Sequence, residues 1–282
     1  MPESRAAVRE PAQILDCTLR DGSYEVNFGM DAAFTSKIVA ELEAQNIKWI
    51  EVGHGVGIDA SNVVKLARET DLTYAKAAQQ AIGDSQWGMF CIPTIAKPQS
   101  VHQLHQEGMG FVRVGIDVGF VKEGLAFIEK IQGLDLKVFI NFMKSYALPE
   151  EHLARSAKEV TENFQIEAVY LVDSAGGMVP NDLKKYTSAL RSELGDNVKL
   201  GFHGHDNLGL SVSNSLFCLE NGFSIVDTTL QGIGRSAGNA PTERLAALMA
   251  MEKINNSYDV VGLDWTLDPQ GIRAMNPEKT LQ

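Results

Sequence analysis

The chain has 282 residues, 44% of them hydrophobic and 22% charged, enough for one core that buries well over half of the unfolded surface without disulfides or a structural metal. Its formal net charge of −11, with no block of Lys or Arg, excludes the concentrated positive field that nucleic acid or an anionic membrane surface requires. Cys17, Cys91 and Cys218 are odd in number and widely spaced, which excludes a disulfide framework and a cysteine zinc site and predicts a reducing, cytoplasmic setting.

Residues 1–13 are polar and read as a flexible N-terminal arm. From there, short β-branched or apolar runs alternate with helical patterns. The expected strands are Ile14–Leu19, Trp49–Val52, Trp87–Cys91, Phe111–Gly115, Val138–Asn141, Val169–Val172, Lys199–His203 and Ile225–Leu230. The expected helices are Ala32–Gln45, Gln99–Gln106, Leu125–Ile131, Glu150–Asn163, Asp182–Leu194, Leu210–Glu220 and Thr242–Lys253. Pro98, Pro149 and Pro180 stand where helices begin, and no run is long enough to span a bilayer. Eight alternations predict an α/β fold, a (β/α)8 TIM barrel over residues 14–254, with a doubly wound open sheet as the alternative. Residues 255–282 form a less regular C-terminal extension in which Trp265 and Pro269 would cover an end of the barrel.

Loops after the strands of such a barrel share one face, so polar residues just past strand ends converge there. These are Arg20, Asp21 and Tyr24; Glu51 and His54; Arg113 and Asp117; Asn141, Lys144 and Ser145; Asp173 and Ser174; His203, His205 and Asp206; and Arg235 and Asn239. In His203-Gly204-His205 the two imidazoles point the same way at a strand end. With Asp21 they make a two-histidine, one-carboxylate set for Mn, Fe, Co or Zn that tolerates Mg. Arg20 beside that ion suits an enolate or carboxylate oxygen.

Asp173-Ser174-Ala175-Gly176-Gly177 reads equally as a substrate loop or a helix-capping turn. The stretch Gly232 to Asn239 lacks the GxGxxG spacing and reads as a mobile loop over the metal. His54 is balanced between pocket lining and a satisfied loop histidine, and His102, His105 and His152 read as surface residues. Cys17 shares a strand face with Leu15 and Leu19 and reads as core.

Leu19-Arg20-Asp21-Gly22, the run Gly201 to Leu210 and Ala237-Gly238-Asn239-Ala240-Pro241-Thr242-Glu243 together resemble the signatures of the DRE-type TIM-barrel metallolyases. Within that superfamily the stretches Ile50 to Gly55, Val172 to Gly176 and Asn207 to Leu216 are most similar to the catalytic barrel of the 4-hydroxy-2-oxovalerate aldolases. The resemblance runs from about Ile14 to about Met251. It implies cleavage of a 4-hydroxy-2-oxo acid into pyruvate and an aldehyde, with Mn2+, or else Mg2+, Co2+ or Zn2+, held by Asp21, His203 and His205. It also implies Asn239 as a further ligand and Arg20, Ser174 and His203 facing the substrate.

Two departures from the family pattern matter. Tyr24 follows Ser23 where the family places a histidine base, which makes Tyr24 the candidate base. The chain also ends at Gln282, before the family's C-terminal helical domain, so an aldehyde dehydrogenase partner is not carried over and a homo-oligomer is left open. Two alternatives stand beside the aldolase: a Claisen-type acyl-CoA lyase or synthase, and a catalytically silent metal-binding subunit.

Overall fold

The computed structural model describes residues 11–117 and 119–266, with side chains through residue 263. Its strands are β1 (Gln13–Asp16), β2 (Trp49–Val52), β3 (Gln86–Cys91), β4 (Phe111–Asp117), β5 (Lys137–Met143), β6 (Ala168–Asp173), β7 (Leu200–Gly204) and β8 (Ile225–Thr228). The helices are α1 (Ala32–Ala44), α2 (Asp71–Ala81), α3 (Pro98–Gln106), α4 (Val121–Ile131), α5 (Glu150–Asn163), α6 (Pro180–Leu194), α7 (Ser211–Glu220), α8 (Thr242–Met251) and α9 (Val260–Thr266). Consecutive strands pair in parallel, and β8 returns to β1 with Gln13 opposite Ile225 and Asp16 opposite Thr228, closing the expected (β/α)8 barrel. No helix among the described residues is long and apolar enough to cross a membrane.

Side-chain alternation divides the core in two. Outward-facing residues such as Ile14, Ile50, Val112, Ile140, Leu171 and Phe202 pack against the helices. Inward-facing Leu15, Trp49, Phe111, Phe139, Tyr170 and Ile225 fill one end of the barrel, where Trp49, Phe111 and Phe139 meet edge to face with centroids 5.3–5.5 Å apart, the arrangement that ring quadrupoles favour.

β1 and β8 are shorter than expected because their last backbone groups are satisfied elsewhere. The Thr18 N–H donates to Asp16 Oδ1 (2.9 Å), Asp21 N–H to Cys17 O (2.8 Å) and Leu230 N–H to Thr18 Oγ1 (2.8 Å). These bonds turn the chain out of the sheet and deliver Arg20 and Asp21 to the barrel mouth. Gln13, expected in the arm, already belongs to β1.

Two helices were not expected. α2 buries Tyr74, Ala75, Ala77 and Ala78, mostly residues too small to give a strong apolar period. Its legible signal was Thr70, whose side chain accepts from Thr73 N–H at 3.2 Å as an N-cap. α9 lies in the stretch read as irregular. The remainder of the arm, residues 1–10, and the proposed covering role of Trp265 and Pro269 lie outside the described residues and side chains.

Candidate metal centre

Arg20, Asp21, Tyr24, Ser174, His203, His205 and Arg235, drawn from four different strand ends, line one cavity of about 550 Å³ at the barrel mouth. One ligand atom each from Asp21, His203 and His205 lies within 4.8 Å of the others, and all three residues are buried. His205 Nε2 stands 3.9 Å from Asp21 Oδ2.

The other ring nitrogens determine which atoms face inward. His205 Nδ1 lies 3.2 Å from the Gly238 carbonyl, which can only accept, so Nδ1 carries the proton and Nε2 keeps its lone pair. His203 Nδ1 lies 2.8 Å from Asp227 Oδ2, which has the same consequence. Burial, followed by the neighbouring His203, pushes His205 down to about 4, leaving it neutral as a metal ligand must be. Burial alone would raise the Asp21 carboxyl, but Arg20, both histidines and the Asn239 amide hold it below the ordinary range.

Asn239 Nδ2 donates to Asp21 Oδ2 at 2.6 Å, while its Oδ1 is buried without a hydrogen-bond partner among the described residues. Two imidazole lone pairs, a carboxylate and this orphaned carbonyl oxygen form a nitrogen–oxygen donor set suited to a divalent ion. Gly234 lets the loop after β8 close over them: a Cβ there would come within 2.1 Å of Asn239 Nδ2 and 3.1 Å of Asp21 Oδ2.

Beneath the centre runs a buried chain of charges. Arg20 Nε donates to Glu51 Oε2 (2.7 Å) and its Nη1 to Asp21 Oδ1 (3.1 Å). Arg113, fully buried, donates from Nη1 to the same Glu51 oxygen (3.1 Å) and from Nη2 to Asp227 Oδ2. Burial opposes both guanidinium charges, but Glu51 and Asp21 around Arg20, and Asp227 and Glu51 around Arg113, more than offset it.

Asp227 was missed in the sequence, although a carboxylate within the apolar strand Ile225-Val226-Asp227 was a readable signal of an inward charge. Cys17, His203 and Asp227 also cluster. A cation there would meet the Arg113 guanidinium, and burial pushes the Cys17 thiol far up, so the cluster is not a second metal site. Cys17 is packed among inward-facing core residues, as expected.

Other candidates resolve into structural roles. Asp173 accepts from Gly177 N–H (3.1 Å) and Met178 N–H (2.8 Å), so the capping-turn reading holds for it. Ser174 lines the cavity, and its Oγ accepts from Lys144 N–H (3.1 Å). His54 uses both ring nitrogens, with Lys65 O and Val56 N–H, and stacks on Phe28, so it is the satisfied loop histidine.

Tyr24 packs edge-on against Phe28 and over Gly55, and its hydroxyl has no hydrogen-bond partner among the described residues. Burial raises its phenol above the ordinary value, Arg20 offsets part of that rise, and Asp21 adds to it.

The HMGL-like family model matches residues 11–267. Oxaloacetate decarboxylase of Mycobacterium tuberculosis is 36% identical over 244 residues, covering 86% of this chain and 71% of that protein. A 4-hydroxy-2-oxovalerate aldolase of Carboxydothermus hydrogenoformans is 35% identical over 239 residues, covering 84% and 70%. The crystal structure of hydroxymethylglutaryl-CoA lyase from Pseudomonas aeruginosa shares the fold at a TM-score of 0.77, with 18% identity over 96% of this chain and 97% of that one. With the barrel, the mouth and these relatives in view, the chain belongs to the HMGL-like family of metal-dependent barrel lyases.

Proposed function

We propose that this lyase releases pyruvate from a 4-hydroxy-2-oxo acid, or condenses pyruvate with an aldehyde in reverse, at the mouth formed by Arg20, Asp21, His203 and His205. The observation that carries the reading is the pair of tautomer-locked histidines facing Asp21 with Arg20 alongside. Asp21, His203, His205 and Asn239 would hold the divalent ion, with Mn2+ the first choice. When bound, it supplies a Lewis acid for the C2 carbonyl.

Arg20 keeps Nη2 clear of its carboxylate partners and directs a fixed positive charge at the oxygen on which enolate charge develops. In the cleavage the C4 hydroxyl loses its proton to solvent in the cavity and the C3–C4 bond breaks. The electron pair passes into the enolate, which takes a proton at C3 to give pyruvate. Ser174, which lines the same cavity, would contact the substrate. A cytoplasmic setting accords with the three free, buried cysteines.

A second reading, decarboxylation of oxaloacetate, is favoured by one observation: that reaction reaches the same enolate without removing a hydroxyl proton, and Tyr24 is poorly suited to take one. Pyruvate release from 4-hydroxy-2-oxo acids and from oxaloacetate, each with added Mn2+, separates the two. Release from neither would end both. Tyr24→Phe is expected to keep its metal and most of its turnover at neutral pH; a large loss, with an alkaline-rising rate in the unsubstituted enzyme, would return Tyr24 to the role of base.

A further inference from the structure

Inside such a barrel the inward-facing residues of alternate strands meet in layers, which branched apolar side chains normally fill. Carrying the strand registers around this barrel places Glu51 of β2, Arg113 of β4, Tyr170 of β6 and Asp227 of β8 in one layer. Two residues further down the same strands, Trp49, Phe111, Ala168 and Ile225 are apolar; one layer up stands His203 of β7. All four residues of the polar layer are at most 2% exposed. Each keeps one buried polar atom without a partner among the described residues: Glu51 Oε1, Arg113 Nε, Tyr170 Oη and Asp227 Oδ1. Unpaired atoms of this kind destabilise, and a buried ion pair seldom stabilises more than an apolar replacement does. Stability of the fold therefore gives no reason for a charged layer at this height.

Arg113 supplies the layer's positive charge and joins its two carboxylates. Nη1 donates to Glu51 Oε2 (3.1 Å) and Nη2 to Asp227 Oδ2, while the guanidinium lies 4.5 Å over the Tyr170 ring. The same Glu51 oxygen accepts from Arg20 Nε (2.7 Å), and the same Asp227 oxygen pairs with His203 Nδ1 (2.8 Å). One oxygen of each carboxylate thus serves both Arg113 and a residue of the metal centre, so a displacement of Arg113 is passed to both sides of that centre.

We propose that Arg113, which does not itself line the cavity, is a positioning residue that fixes the Arg20 guanidinium and the His203 imidazole relative to one another. The inference rests on the enolate chemistry that the aldol and decarboxylation readings share, and holds for either substrate. A lysine in its place carries the same charge on a single nitrogen and cannot present two diverging donors to two carboxylates.

The test uses the full chain, with Mn2+ affinity titrated on the metal-free protein and turnover measured at saturating Mn2+ on 4-hydroxy-2-oxo acids and oxaloacetate. Arg113→Lys should lower kcat about 100-fold with KM within about threefold, the mark of a misplaced transition-state contact. Its Mn2+ affinity should fall about 10-fold, with urea unfolding still cooperative. A second variant, Arg113→Met with Asp227→Asn, removes one charge of each sign, leaves the Arg20–Glu51 pair intact and decides the matter where the lysine variant does not fold. It should bind Mn2+ as Asp227→Asn alone does, because that path runs through the lost carboxylate. Its kcat should lie about 100-fold below that of Asp227→Asn, because Glu51 has lost its anchor.

Arg113→Lys with kcat and Mn2+ affinity both within about twofold of the unsubstituted protein overturns the proposal. So does a double variant that turns over as fast as Asp227→Asn. Mn2+ binding that weakens further in the double variant overturns the path through Asp227. No release from any compound by the unsubstituted protein overturns the lyase reading and the Arg20 half with it, while the Mn2+ titration, which needs no substrate, still decides the His203 half.

Discussion

His203 and His205 differ in what holds them, and the difference has consequences. His205 leans on a backbone carbonyl that no substitution removes, whereas His203 depends on the carboxylate of Asp227, itself tied to Arg113. Partners that orient a ligating imidazole commonly contribute 10–100-fold to metal affinity. Asp227→Asn is therefore expected to weaken Mn2+ binding by roughly 10–100-fold with the fold retained, read by titrating the metal-free protein. An unchanged affinity would show that His203 needs no orienting carboxylate. Arg20 presents the complementary case, because its Nε and Nη1 are spent on Glu51 and Asp21 and only the rest of the fork faces the cavity. A lysine cannot hold both carboxylates and also reach the substrate. Arg20→Lys should lose about 100-fold in kcat while keeping bound metal, and equal turnover would remove Arg20 from the chemistry.

At the scale of elements, the seam between β1, β8 and α8 sets the height at which the chain leaves the sheet. Asp16 is fully buried there, accepting from Thr18 N–H (2.9 Å) and from Thr242 Oγ1 (2.8 Å). Burial pushes its carboxyl up to about 6 from an ordinary 3.8, and the hydrogen bonds from Thr18 and Thr242 offset only part of that rise. Because the folded value lies above the unfolded one, the stability supplied by the protonated form is complete below about 3.8 and is lost as pH rises through about 6. The loss by pH ~8 is on the order of 3 kcal/mol. Asp16→Asn, whose amide can still accept from Thr18 and pair with the Thr242 hydroxyl, escapes it. Urea unfolding at several pH values should show the variant gaining on the unsubstituted protein from about pH 4 to 7 and levelling above. A gap independent of pH would contradict the assignment.

For the whole molecule, the apolar plug inside one end of the barrel and the helix-facing core outside the strands are complete without an ion. Removing divalent metal should consequently leave far-UV CD and a cooperative unfolding transition intact, while metal present at a hundred times its Kd should add ~2.7 kcal/mol by mass action. Loss of the transition on chelation would make the ion structural. The alternation of strands and helices, the punctuating prolines and the strand-end positions of Arg20, Asp21, His203 and His205 were all readable from the chain, because period and position along a strand are local properties and a closed barrel gathers its strand ends on one face. The Arg113 bridge between Glu51 and Asp227, the choice between the two readings of Asp173 and the raised phenol of Tyr24 were not. Each depends on which side chains meet across the inside of the barrel and how far water is excluded there, and only the closed tertiary structure decides those distances and that burial.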